Sequence, residues 1–325
     1  MKALVYEDTE TLHLRDVPKP ERAHGEEVVR VEAAGICGSD MHAYLGHDAR
    51  RPAPLILGHE AAGTIDGGAR DGERVTINPL VTCGTCPACT SGRENLCPTR
   101  QIISMQPREG AFAQYVAIPA RNLVTVPEAT PLDTAALAEP LAVGWHAVRL
   151  GLAALSDDDE RRAIVLGGGA IGLAAALALE ASGVTRVTIV EPHSERRRVL
   201  SEIGETAVGE TGVAAPLVVD AVGYAATRAA ASGLVTPGGV IVHIGLGEDT
   251  GGLDVRRMTL QEVTFIGTYA YTAADFRNTA AAMFDGRLGS LDWFETRALA
   301  EGPGAFRDLR DHKVAAPKIV LSPWS

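Results

Sequence analysis

The stretch AIVLGGGAIGLAAALALEAS, residues 163–182, decides the fold. Residues 163–166 are an unbroken apolar run that reads as a buried strand. It passes directly into glycines, and IGLAAALALEAS follows as a helix rich in Ala and Leu. The turn carries Gly167-x-Gly169-x-x-Gly172. Gly167 permits the tight turn, Gly169 lets the backbone approach a pyrophosphate, and Gly172 lets helix and strand pack closely. Ala170 and Ile171 fill the positions between them, and the helix N-terminus there favours phosphate charge. Such glycines alone are a weak signal. Here a strand precedes them, a helix follows, and Glu191 ends the next strand, 19 residues past Gly172. An acid at that place accepts hydrogen bonds from adenosine ribose hydroxyls, which favours NAD. Arg196, Arg197 and Arg198 raise NADP as the lesser alternative, although a solvated helix face is their more ordinary explanation.

Outward from this stretch the pattern continues. VTIVEP is a second buried strand and HSERRRVLSEIG a second helix, followed by the apolar runs APLVVDAVG, GGVIVHIGL and VTFIGTYA. Strands apolar on both faces, alternating with helices, predict a doubly wound parallel α/β sheet. Residues before about 140 read differently: VVRVEAAG, AAGTID, ERVTINP and FAQYVAIP are short β-type runs broken by Pro, Gly and Asp. The tail from TAADFRNTAAAMFDG has two helical stretches and a last strand, KIVLSP. The acidic run in GLAALSDDDERR reads as an exposed loop. A chain of 325 residues suits two domains. With 30 Lys and Arg against 41 Asp and Glu, the net charge of −11 makes nucleic acid an unfavourable partner. No apolar run reaches the roughly 20 residues of a membrane span. The N-terminus turns acidic at once instead of forming a signal peptide, so a cytoplasmic protein is expected.

All five cysteines lie in the first third of the chain. Their odd number in a cytoplasmic-looking chain points to metal rather than disulfides. Cys83, Cys86, Cys89 and Cys97 have the x2, x2 and x7 spacings that let four thiolates turn onto one zinc. A closed four-sulfur site of this kind is structural. An iron–sulfur cluster is the less favoured alternative, because the fourth cysteine departs from the ferredoxin run. The fifth, Cys37, stands in GICGSDMH, His59 and Glu60 in LGHEAAG, and Glu139 in the apolar LAEPLAVGWHA. Each alone has an ordinary structural reading. A carboxylate among Ala, Leu and Val is costly unless paired or bound to metal. A mixed Cys, His and Glu set with one open position describes a catalytic zinc, provided the fold brings residues 37, 59 and 139 together.

In this order the motifs resemble the zinc-containing medium-chain dehydrogenase/reductase family, the alcohol and polyol dehydrogenases, along nearly the whole chain. The resemblance implies a GroES-like catalytic domain (1–141, with the structural-zinc loop 83–97, and a return over 272–325) and an inserted Rossmann domain over 142–271. It implies two zinc ions per chain. Cys37, His59 and Glu139 match the catalytic ligands, and Glu60 is the variable member, binding directly in the sorbitol-dehydrogenase-like branch. Asp40 is similar to an acid that orients the zinc-binding histidine, and Ser39 and His42 match the proton relay. Asp220, Ala221, Val222, Gly223 and the turn at Gly245 resemble the strand ends flanking nicotinamide. Tyr44, His47 and Tyr271 are candidates for the substrate pocket, each with an equal claim to ordinary packing.

The family implies hydride transfer between a secondary carbinol and NAD(P), with a threonine-type or simple secondary-alcohol dehydrogenase as alternatives. A non-catalytic nucleotide and zinc sensor is the alternative from another class. The family also suggests a homodimer or homotetramer. Two trims depart from it: a clipped hairpin between residues 62 and 75, and only six residues between the expected strand 206–208 and APLVVD, which predicts a lost crossover helix. Ala270 stands about where sorbitol dehydrogenases carry a polyol-binding arginine.

Overall fold

Apolar strands separated by helices pack here as a parallel sheet, as the segment 163–182 predicts. The computed structural model describes residues 1–156 and 160–325; the centre of the acidic run, residues 157–159, lies outside them. The described residues pack as two units. One comprises Met1–Glu139, Thr272–Asp285 and Phe294–Ser325, the other Pro140–Tyr271 and Gly286–Trp293.

The second unit holds a six-stranded sheet in the order Ala207–Val208, Arg186–Val190, Arg162–Leu166, Ala215–Asp220, Val235–His243, Thr264–Gly267. All its pairings are parallel. Successive strands run outward from Arg162–Leu166 in one direction and then, from Ala215–Asp220, in the other. The carboxyl ends of these two neighbours form the switch point at which open α/β sheets bind ligands. Helix Ala170–Ala181 buries Leu173 to Leu179, so its Ala and Leu run follows from near-complete enclosure rather than from one apolar stripe. The crossover between Ala207–Val208 and Ala215–Asp220 contains no helix. One expectation is corrected. VTFIGTYA reads as a strand buried on both faces, but Thr264–Gly267 is an edge strand with mostly exposed side chains, and no strand among the described residues pairs beyond it.

The first unit is built on antiparallel pairing, except that Phe294–Ala298 runs parallel to Lys318–Ser322. Its larger sheet runs Leu123–Thr125, Arg74–Ile77, Glu60–Ile65, Glu26–Gly35, Lys318–Ser322, Phe294–Ala298, with Tyr115–Pro119 also paired to Glu26–Gly35. Leu4, Leu57, Ile65, Ile77, Phe112, Ile118 and Phe306 fill its core. The trimmed hairpin persists, with Ala62 opposite Thr76 and Thr64 opposite Arg74. The last strand returns from the far end of the chain to lie against Glu26–Gly35, pairing Val320 with Gly35. That register carries Lys318 to the start of Glu60–Ile65, whose Glu60 also faces Gly35.

Candidate active site

Cys37 ends the link from strand Glu26–Gly35 and caps helix Gly38–Tyr44 with extended backbone. Asp40, in the first turn, is fully buried and accepts hydrogen bonds from the backbone N–H of Cys37 (3.0 Å) and of Gly58 (3.2 Å). It thereby ties the two ligand-bearing segments together. Its Oδ1 lies 3.4 Å from Nδ1 of His59, and the Ser104 hydroxyl is 3.4 Å from the same nitrogen. Sulfur of Cys37, ring nitrogen of His59 and carboxylate oxygen of Glu60 all lie within 4.8 Å of one another.

Glu60 is fully buried. Its Oε1 accepts from Nζ of Lys318 at 2.7 Å, while Oε2 has no hydrogen-bond partner. Lys318 also donates to the carbonyl of Ile36 at 3.0 Å. The Glu60 carboxylate occupies the place of a side chain at Gly35, where a Cβ would stand 2.2 Å from Oε2. An orphaned carboxylate oxygen beside a thiol and an imidazole is costly to bury, and a cation there satisfies it. The donor set therefore fits zinc.

The electrostatics agree. Burial pushes His59 down, but Asp40 and Cys37 more than offset it and raise its pKa well above the ordinary value. Burial pushes Asp40 up, whereas His59, Arg51 and the Cys37 N–H hold it below the usual carboxylate range. Burial likewise opposes charge on Lys318, and Glu60 and Cys37 more than restore it. The pocket thus holds a proton on His59 more tightly than a free imidazole would, and a metal competes for the ring.

Glu139, buried at the first turn of helix Ala138–Ala154, is not within the 4.8 Å group, although it helps keep Lys318 charged. Ser39 is half-buried, 3.4 Å from Nη2 of Arg51, and His42 is exposed on the same helix. Of the pocket candidates, Tyr44 is in the core with its ring 5.1 Å from that of Phe306, His47 is exposed, and Tyr271 is buried. Ala270 has left-handed backbone, φ +47°. Three contributors carried little signal in sequence. Lys318 opens an apolar strand, Arg51 lies in a Pro-rich turn, and Ser104 lies in a loop.

Cys83, Cys86, Cys89 and Cys97 form a second group. Sulfurs lie 3.8 Å (Cys83–Cys89), 3.5 Å (Cys86–Cys89) and 3.6 Å (Cys83–Cys97) apart. Four sulfurs placed tetrahedrally at about 2.3 Å from one zinc are about 3.8 Å apart, so the set fits the ion. Backbone N–H groups of Thr85 and Cys86 hold the Cys83 thiol down at about 5, while burial and the neighbouring Cys86 sulfur push Cys89 up to about 11. Without a cation, the four thiols cannot all ionise.

In the other unit, Gly167 lies directly against Val222, whose Cγ2 a Cβ at Gly167 would meet at 2.4 Å. Gly172 packs on the carbonyl of Gly167, where a Cβ would stand 1.8 Å away. Glu191 is buried, and its carboxylate accepts from Gly168 N (3.0 Å) and His193 N (2.8 Å), with Nη1 of Arg196 at 3.5 Å. Arg197 donates to the carbonyls of Glu191 and Pro192, and Arg198 pairs with Glu195 and Glu202 on its own helix. Asp220 accepts from the N–H groups of Val222 and Gly223 and from the Thr227 hydroxyl, shaping the second strand end. Gly245 rests on Val222, with which a Cβ would collide at 2.1 Å.

Residues 23–128 match the family model of the alcohol dehydrogenase GroES-like domain, and residues 170–285 that of the zinc-binding dehydrogenases. The chain is 35% identical to the sorbitol dehydrogenase of Bacillus subtilis over 215 residues, 63% of this chain and 60% of that enzyme's length. It is 30% identical to the sorbitol dehydrogenase of Arabidopsis thaliana over 271 residues, 75% and 73% of the two chains. The solved structure of an alcohol dehydrogenase (rspB) from Escherichia coli, complexed with NADH, superposes with a TM-score of 0.89 at 26% identity over 99% of both chains. The chain therefore belongs to the zinc-containing medium-chain dehydrogenase/reductase family, the zinc-dependent alcohol and polyol dehydrogenases.

Proposed function

We propose that this chain transfers hydride between a carbinol of a polyol or related alcohol and NAD, a secondary carbinol giving a ketone and a primary one an aldehyde. The observation that carries this reading is the convergence of Cys37, His59 and the orphaned Oε2 of Glu60. These three residues hold the catalytic zinc, with Glu139, a second carboxylate, as the exchangeable fourth ligand. Bound zinc supplies Lewis acidity toward a carbinol oxygen, and bound nicotinamide supplies the hydride acceptor. Asp40 holds Nδ1 of His59, which leaves Nε2 as the ligand nitrogen. Lys318 fixes Glu60 through one oxygen and leaves the other free. Ser39 accepts the carbinol proton as it gives up its own toward His42, which is exposed on the same helix and releases a proton to solvent.

Gly167, Gly169, Ala170, Ile171 and Gly172 hold the pyrophosphate, and Glu191 the adenosine ribose; Val222 and Gly245 flank the nicotinamide. Arg196 is the residue through which NADP gains any footing. Cys83, Cys86, Cys89 and Cys97 hold the structural zinc. Residues 1–141 and 272–325 form the catalytic domain and 142–271 the dinucleotide domain. Five free thiols suit a reducing cytoplasm. No helix among the described residues is long and apolar enough to cross a membrane. The exposed edge strand Thr264–Gly267, with Val255 and Leu260 bare beside it, supports a homodimer or homotetramer joined there. Light scattering reads its mass.

The deciding experiment measures zinc content and reduced-nicotinamide absorbance across polyols, sugar acids and secondary alcohols, with NAD and NADP. Two zinc ions per chain and turnover lost in Cys37→Ser and His59→Ala are expected. Full activity in either purified variant overturns the assignment.

A further inference from the structure

We propose that Arg228 is a positioning residue that holds the glycine-rich turn 245–252 in its dinucleotide-receiving shape. This rests on the reading of Val222 and Gly245 as the nicotinamide side of the site.

Arg228 lies on helix Ala225–Leu234 and is 6% exposed. Among the described residues its guanidinium has no carboxylate partner in hydrogen-bond contact and donates instead to four backbone carbonyls. Nη1 reaches Gly223 (2.8 Å) and Glu248 (3.0 Å), Nε reaches Gly251 (2.5 Å), and Nη2 reaches Thr250 (2.5 Å). A buried cation surrounded by neutral carbonyls is an expensive way to stabilise a helix, but an effective way to pin backbone. One of the four carbonyls follows strand Ala215–Asp220 and three belong to the turn after Val235–His243. Arg228 thus clamps together the two strand ends on which Gly245 and Val222 meet.

The turn needs a clamp. Gly245, Gly247, Gly251 and Gly252 fall within eight residues, and Gly251 and Gly252 have φ of +86° and +89°. Such a segment loses much conformational freedom on ordering. Glycine is nonetheless required, since a Cβ at Gly252 would stand 2.1 Å from the Ala225 carbonyl. Two further bonds converge on the same place. The Glu248 carboxylate accepts from Ala225 N at the head of the helix (2.7 Å), and the Ser232 hydroxyl accepts from Asp254 N (3.2 Å). Gly247 N and Glu248 N in turn donate to the carbonyls of Val222 and Gly223. With Arg228 present the turn is ordered before the cofactor arrives.

The experiment compares the zinc-loaded wild type with Arg228→Met and Arg228→Lys. It measures NADH binding by calorimetry, hydrogen exchange of amides 245–252, and the separate KM and kcat for NAD. If the unclamped turn holds its receiving shape about a tenth of the time, NADH affinity falls about tenfold. The same factor appears in KM for NAD with little change in kcat, exchange of 245–252 quickens, and Arg228→Lys restores part of both. Quickened exchange with unchanged NADH affinity makes Arg228 merely structural and overturns the proposal. Should Arg228→Met fail to fold, an Arg228→Lys variant matching wild type in affinity and exchange overturns it as well. A wild type that binds no NADH fails the underlying reading of the site instead.

Discussion

At the scale of single residues, the site is a contest for protons and charge. His59 is raised by Asp40 and Cys37, so in metal-free protein its ring keeps a proton that zinc must displace. Zinc affinity at Cys37, His59 and Glu60 should therefore weaken as pH falls, by about tenfold per pH unit for each proton released. Zinc retention against a chelator between pH 8 and pH 6 checks this, and a pH-independent affinity contradicts it. Lys318 is the second contest. Among the described residues its Nζ is the sole hydrogen-bonding cation on Glu60, and both groups are buried. Lys318→Met should cost metal-free protein about 3–5 kcal/mol, because a buried carboxylate is left uncompensated. The cost should be smaller with zinc bound. Denaturant unfolding with and without zinc reads the difference, and equal losses would detach Glu60 from the metal. Cys37, His59 and Glu60 were legible in sequence through their glycine-rich surroundings. Lys318 was not, because a lysine opening an apolar strand looks the same whether it faces water or a carboxylate 258 residues away.

At the scale of elements, the four-cysteine loop does more than close on an ion. Glu94, between Cys89 and Cys97, accepts a hydrogen bond from Ala273 N at the start of helix Ala273–Phe284. That helix also has its own capping box, Thr272 with Asp275. Cys97→Ser should therefore lower the melting temperature and quicken hydrogen exchange in the first turn of 273–284. Wild-type protection there in a variant that has lost its structural zinc contradicts the link. The loop spacing announced the metal, but no local pattern announced the helix 179 residues away. The lost crossover helix was legible from length, since six residues between Val208 and Ala215 cannot form one. The exposed edge strand was not. VTFIGTYA is as apolar as its buried neighbours, and only its place at the end of the sheet order leaves it bare.

At the scale of the whole molecule, stability carries a pH signature from a carboxylate of the parallel-sheet unit. Burial, with the neighbouring Glu180, pushes Glu205 up to about 7. The folded chain thus holds a proton that the unfolded chain releases nearer the ordinary carboxylate value of 4.5. Its contribution is present at low pH and is lost as pH rises toward 7. Glu205→Gln should accordingly stabilise the protein at pH 8, on the order of 2 kcal/mol, and do little at pH 5. Thermal unfolding at both values decides it, and a pH-independent effect contradicts the assignment. The sequence by itself determined the class of each half: a strand–glycine–helix unit with a carboxylate after the next strand, and a β-rich unit carrying two cysteine motifs. Those features are local, encoded in runs of 4 to 20 residues by periodicity, turn chemistry and ligand spacing. The tertiary structure alone decided that Cys37, His59 and Glu60 converge while Glu139 stands outside their immediate group. It alone set Lys318 on Glu60, and Arg228 on the carbonyls of a turn some twenty residues further on. Those are questions of strand register and crossover, and side-chain contacts across a register have no signature in the order of residues along the chain.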